Sequence, residues 1–275
     1  VVATGSSSFD LANKINEPLT GRKWEYKLYP LSFAEMVAHH GFWEERKMLE
    51  QRLVYGYYPE VVVQQPDEMK TILQSLASSY LYKDVLKWEN IQKSDRLVKL
   101  LQALAFQVGS QASYAELGNF CGLDGKTVEK YLTLLEQAFV IFRLNSFSRN
   151  LRNELKFSKK IYFYDNGIRN ALIANFNSIH LRDDVGALWE NFLLSERVKR
   201  NHYSHSFVNS WFWRTQTRKE IDYLEEKDGK LSAFELKWNP KKTVKPPDDF
   251  IQTYSNADFT IVSPDNFHEF IGMEF

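Results

Sequence analysis

Cysteine is all but absent: Cys121 is the single one in 275 residues, so neither an intramolecular disulfide nor a multi-cysteine zinc site can form. No stretch approaches the roughly 18 apolar residues that a membrane helix needs, and no signal-peptide pattern opens the chain. The expected setting is reducing and cytoplasmic, without a membrane partner. Net charge is missing too. Thirty-five Lys and Arg balance thirty-five Asp and Glu, which leaves only local patches to argue for a polyanionic partner. Also lacking are the Gly-x-x-x-x-Gly-Lys-Ser/Thr loop that cradles nucleotide phosphates and an initiator methionine, and the expectation is a portion of a longer chain. What remains is 44% hydrophobic, 15% aromatic and 25% charged, the composition of a packed chain with length for two or three cores.

The opening Val1 to Ser8 reads as a buried strand ending in a polar turn, and Trp24 to Leu28 alternates as a second strand closed by Pro30. Ser32 and Glu35 have capping-box spacing and open helical periodicity from Phe33 to about Leu53. A further long helix is expected from Met69 to Trp88. Next comes a helix through Leu97, Leu101, Leu104 and Val108, and then a short one capped at Ser113. After the turn Gly122 to Gly125 a third runs from Lys126 to Gln137, followed by a strand at Val140 to Leu144, the order of a winged helix-turn-helix. Beyond it, Lys160 to Tyr164 reads as a strand and Val185 to about Lys199 as an amphipathic helix. Strands are expected at 206–213, 220–225, 231–238 and 259–262.

Asp228-Gly229 between two alternating runs predicts a two-residue hairpin turn. Asp222 then lies opposite Glu235 and Glu220 opposite Lys237, all four on one face, while Ile221, Tyr223, Phe234 and Leu236 take the other. Two carboxylates facing each other across a ladder repel. A bound cation, a shared proton or Lys237 swinging across would relieve them. With a cation, Asp222, Glu235 and Lys237 are the parts of metal-assisted phosphodiester hydrolysis, with Mg²⁺ or Mn²⁺ as the expected ion. Glu190, among Leu188, Trp189, Phe192 and Leu193, is a candidate third acid. Glu196 is expected to pair with Arg200 and to have no catalytic part.

For a nucleic-acid partner, the third helix of the helix-turn-helix exposes Lys126 and Lys130. Residues 143–169 add Arg143, Arg149, Arg152, Lys156, Lys159, Lys160 and Arg169, a net +5 after Glu154 and Asp165, which suits phosphate contacts. Cys121 is expected to be a small core residue.

A set of short segments, in order, resembles a known family: Thr4-Gly5-Ser6-Ser7, Leu19-Thr20-Gly21-Arg22, Leu28 to Phe33, Tyr55-Gly56-Tyr57-Tyr58-Pro59-Glu60, Tyr164 to Asn170, Trp189-Glu190-Asn191, Trp213-Arg214, Glu220-Ile221-Asp222 and Glu235-Leu236-Lys237. They are similar to the second half of prokaryotic AAA+ ATPases whose C-terminal part is the domain of unknown function 4143. The resemblance implies an α/β and α+β multidomain chain. Its parts are the end of an ATPase core (1–35), a helical lid-like region (36–92), the winged helix-turn-helix (93–149) and a restriction-endonuclease-like domain of PD-(D/E)XK type (150–275). It places Asp222, Glu235 and Lys237 at the nuclease-like triad and Glu190 at the helix acid. Thr4, Ser6 and Ser7 fall at the strand tip near the γ-phosphate, and Arg22 at an arginine-finger position. ATP is implied only together with an ATPase core these residues lack, as is a homo-oligomer formed through it; DNA is the expected partner. The rival expectation is an ATP-regulated protein-interaction module whose nuclease-like fold is inactive.

Overall fold

Ser32 closes its capping box as its spacing predicts: its hydroxyl accepts from the backbone N–H of Glu35, whose carboxylate accepts from the Ser32 N–H at 2.8 Å. A computed structural model of the chain describes residues 24–80, 94–148, 159–215 and 219–273. The helical periodicity after Ser32 is not one helix but three: α1 (Phe33–His40), α2 (Phe42–Lys47) and α3 (Leu49–Tyr55). Gly41, at φ +92°, separates α1 from α2, since no helix passes through that conformation, and Met48, at φ −87° and ψ 1°, separates α2 from α3. Trp24 to Leu28 forms no strand, and Trp24, Tyr26 and Leu28 are exposed. Alternation alone does not make a strand; its backbone groups need a neighbour, and no described strand lies alongside. After α4 (Pro59–Val62), α5 (Pro66–Ser75) runs into a π-helical turn at Leu76–Tyr80, and the expected continuation to Trp88 lies outside the described residues.

The next elements are α6 (Ser94–Phe106), β1 (Gln111–Ala112), α7 (Tyr114–Cys121), α8 (Gly125–Gln137), β2 (Ile141–Ser146) and β3 (Lys159–Phe163). Ser113 caps α7, Gly122 ends it in the left-handed region at φ +67°, and Asp124 caps α8 by accepting from Thr127 N–H at 3.0 Å. Helix α8 buries Val128, Tyr131, Leu132, Leu134 and Leu135. Cys121 is buried, as expected of a core thiol.

The remaining elements are α9 (Asn166–Leu172), α10 (Val185–Tyr203), β4 (Asn209–Arg214), β5 (Glu220–Lys227), β6 (Lys230–Leu236), α11 (Asp248–Thr253), β7 (Asp258–Val262) and α12 (Phe267–Phe270). The seven strands among the described residues form one mixed sheet in the order β1-β3-β2-β4-β5-β6-β7, antiparallel except at β2/β4 and β6/β7. Through Asn145↔Trp211 and Ser146↔Phe212 the strands that follow the helix-turn-helix continue into those of the C-terminal part.

Helix α10, expected to be amphipathic, is buried almost all round, so each of its polar side chains needs a partner. Asn191 donates to Phe163 C=O and accepts from Phe163 N–H. Arg197 grips Glu225 with two hydrogen bonds of 2.8 Å. Glu196 pairs with Lys199 at 2.8 Å and accepts from Phe33 N–H, not with Arg200 as its spacing suggested, because Lys199 is the cation buried beside it.

Two of the short segments that carry the resemblance meet here. Asp165 accepts from Tyr57 N–H at 2.6 Å and Ile168 N–H at 3.0 Å, while Asn170 donates to Leu53 and Val54 C=O. A Cβ on Gly56 would sit 2.2 Å from the Asp165 carboxylate, and one on Gly167 2.2 Å from Tyr55 C=O. Both glycines are therefore fixed by close approach, and the segments form a packing joint between α3 and α9.

Candidate active site

Asp228 and Gly229 both have positive φ, +52° and +78°, as a two-residue hairpin turn requires. The β5/β6 register is the one the turn dictates: Lys227↔Lys230 through Tyr223↔Phe234. Beyond that pair the strands part. Asp222 occupies the opening with its side chain, whose Oδ2 accepts from Leu236 N–H at 2.9 Å. Lys237 then bridges the two acids, its Nζ 3.3 Å from Asp222 Oδ2 and 2.6 Å from Glu235 Oε1. Of the three ways to relieve the facing carboxylates, the structure contains the lysine.

The expectation of one apolar and one charged face needs correction. A register shift between Trp211 and Trp213 puts a bulge in the β4/β5 pairing. Ile221 accordingly joins Leu224, Leu231, Ala233, Trp213 and Phe250 in a small core, whereas Tyr223 and Leu236 pack into the main one. The hairpin is covered on both faces. Glu220 does not face Lys237 but pairs with Lys160 at 2.5 Å and Arg214 at 3.3 Å.

Glu190 reaches this cluster from α10. Its Oε1 accepts from Tyr162 OH at 2.5 Å and from Lys160 Nζ at 3.1 Å. Burial, opposed by Lys160 and reinforced by the charge of Asp222, pushes its pKa up to about 7. Glu235 is raised by burial and by Asp222, against the pull of Lys237. Both lysines are held charged: burial disfavours each ammonium, but Glu190, Asp222 and Glu220 around Lys160, and Asp222 and Glu235 around Lys237, outweigh it. Asp222, Glu235, Lys237 and Glu190, named from sequence spacing and resemblance, thus meet at one place.

Two members were missed. Tyr162 is fully buried, and Lys160, counted within the basic patch, is 2% exposed and faces carboxylates, so it is not a phosphate contact. The readable signal was Lys160 and Tyr162 two apart, flanking Ile161 and followed by Phe163, which places Lys160 and Tyr162 on one face of the strand. Among the described residues no three His, Cys, Asp or Glu side chains are grouped to hold a metal ion.

Lys126 and Lys130 lie exposed on α8. Arg143 is turned inward: it pairs with Glu136, which also accepts its N–H at 2.9 Å, and donates to Thr133 and Tyr114. Thr4, Ser6, Ser7, Arg22, Arg149 and Arg152 lie outside the described residues. No described helix is long and apolar enough to cross a membrane.

Residues 46–179 match a domain of unknown function, 8612, which runs across both the lid-like and helix-turn-helix regions read from the sequence. An uncharacterized protein of Haemophilus influenzae is 25% identical over 256 residues, 88% of this chain and 61% of that protein. Uncharacterized proteins of Mycobacterium bovis and Mycobacterium tuberculosis are each 24% identical over 235 residues, 85% of this chain and 51% of theirs. The chain spans between half and three-fifths of these relatives' lengths. No solved structure matches it. Residues 1–37 match an AAA domain and residues 185–267 the domain of unknown function 4143, so both parts of the resemblance read from the short segments have a matching family model.

Proposed function

We propose that the cluster at the open end of β5 and β6 is a restriction-endonuclease-like site that hydrolyses DNA phosphodiesters with one Mg²⁺ or Mn²⁺ ion. The observation that carries this reading is the convergence of Asp222, Glu235 and Lys237, from three positions of a parting hairpin, with Glu190 from a separate helix. The donor set suits a hard cation: two carboxylates that now share a single ammonium. When bound, such an ion supplies Lewis-acid activation of a water for attack on phosphorus. Leu236 N–H fixes the Asp222 carboxylate in place. Lys237, a fifth exposed on a flexible stem, can release its carboxylates and turn its charge to a phosphate oxygen.

We propose further that α6, β1, α7, α8, β2 and β3 form a winged helix that brings DNA to this chain, with Lys126 and Lys130 on α8 and Arg149 and Arg152 in the β2–β3 connection touching phosphates. Arg143 is dropped from that surface because Glu136 occupies it. ATP hydrolysis is not proposed for these residues, which contain no phosphate-binding loop.

The test is incubation of the purified chain with plasmid DNA and Mn²⁺, alongside Mn²⁺-dependent thermal shifts. The expected result is a Mn²⁺ shift and cleavage, both abolished in Asp222→Asn. A folded, DNA-binding chain with neither would overturn the nuclease reading and favour an inactive interaction module.

A further inference from the structure

Four carboxylates of the cluster are held in two pairs, each by one lysine. Lys237 bridges Asp222 and Glu235, whereas Lys160 bridges Glu190 and Glu220 at 3.1 and 2.5 Å. The two lysines differ in freedom. Lys237 follows β6, is 21% exposed and has water within reach as an alternative partner. Lys160 rises from the interior of the sheet on β3 and is 2% exposed. Its ammonium lies 5.4 Å from the centre of the Phe212 ring, and Tyr162 from the same strand binds the same Glu190 oxygen. Withdrawing that ammonium would leave it without solvent and leave Glu190 with only the Tyr162 hydroxyl and Glu220 with only Arg214 at the rim, so a metal ion competes readily for the Lys237 pair and poorly for the Lys160 pair.

We propose that Lys160 is a built-in substitute for a second metal ion: its ammonium occupies the place between Glu190 and Glu220, so the site takes a single divalent cation, at Asp222 and Glu235. This rests on the reading of that pair as a metal site. Lys160 is a positioning residue; it holds the helix acid against the strand and bars a second ion from between them.

Mn²⁺ titration of chelator-treated protein, read by electron paramagnetic resonance of free ion and by calorimetry, tests it without reference to cleavage. Wild type is expected to bind one Mn²⁺ per chain, Lys160→Met two, Lys160→Arg one, and the double variant Lys160→Met with Glu190→Gln one again. Two ions on wild type, or one ion on a Lys160→Met protein whose circular dichroism is native, overturns the substitution. If Lys160→Met does not fold, the wild-type and Lys160→Arg counts still decide, since two ions on either refutes it. No ion on wild type at millimolar Mn²⁺ overturns the metal reading of Asp222 and Glu235 and this inference with it, a result distinct from two.

Discussion

Replacing Glu190 by Gln should change how stability depends on pH, and the sign follows from the structure. Its carboxyl titrates near 7 in the folded protein, chiefly because it is buried with Asp222 nearby, against about 4.5 when exposed. Folded chains therefore hold this proton between those values while unfolded chains release it. The contribution to stability is fully present below about pH 4.5 and is lost as pH rises through 7. A difference of that size corresponds to at most about 3 kcal/mol at 1.36 kcal/mol per pH unit, with Lys160 and Tyr162 sharing the effect. Urea unfolding in chelator at pH 4.5, 6 and 8 measures it. Glu190→Gln should be close to wild type at pH 4.5, where both side chains are neutral, and should gain on it by up to that amount by pH 8. Other raised carboxyls, such as Asp165 and Glu196, cancel in the difference between the two proteins. A constant offset across the range would show that Glu190 titrates normally, and the described burial and charge around it would then be wrong.

Asp222→Asn should leave the metal-free protein within about 1 kcal/mol of wild type, since an amide oxygen can still accept from Leu236 N–H, while removing the Mn²⁺ thermal shift; loss of folding in chelator would refute this. Arg52→Met strips the guanidinium from fully buried Glu45, which also accepts from Tyr57 OH and contacts His40, and should cost about 3–5 kcal/mol in urea unfolding. Charge reversal of Lys126 and Lys130 should weaken duplex DNA binding and lower the slope of log affinity against log salt by about 2, as fluorescence anisotropy at several salt concentrations would read; an unchanged slope would remove α8 from the phosphate surface.

Elements whose signals are local were legible. The caps at Ser32 and Ser113 and the Asp228-Gly229 turn act through hydrogen bonds and dihedrals within a few residues, and the structure has each of them. Signals that depend on a distant partner failed. Trp24 to Leu28 alternates like a strand yet pairs with none of the described strands, and the pattern from Phe33 to Leu53 hid a positive-φ glycine that splits it. The bulge opposite Trp211 and Trp213 has no signature in β5 itself, yet it moved Ile221 from one core to another.

The same division runs through the candidate site. Asp222, Glu235 and Lys237 lie on one hairpin, so turn chemistry and a period of two bring them together without knowledge of anything else. Lys160 could not be placed that way. In sequence it sits among Arg143, Arg152, Lys156 and Lys159, where simple charge counting makes it one more phosphate contact. Its true partners are 30 and 60 residues away, on α10 and β5, and reach it only because β2 pairs with β3 on one side and β4 on the other. What distinguishes it from its neighbours is the company of Ile161, Tyr162 and Phe163, which are buried and require any lysine threaded among them to find a carboxylate. A basic residue inside an apolar strand is thus better read as one half of a buried pair than as part of a surface patch, and its missing half points to where the acids of a site lie.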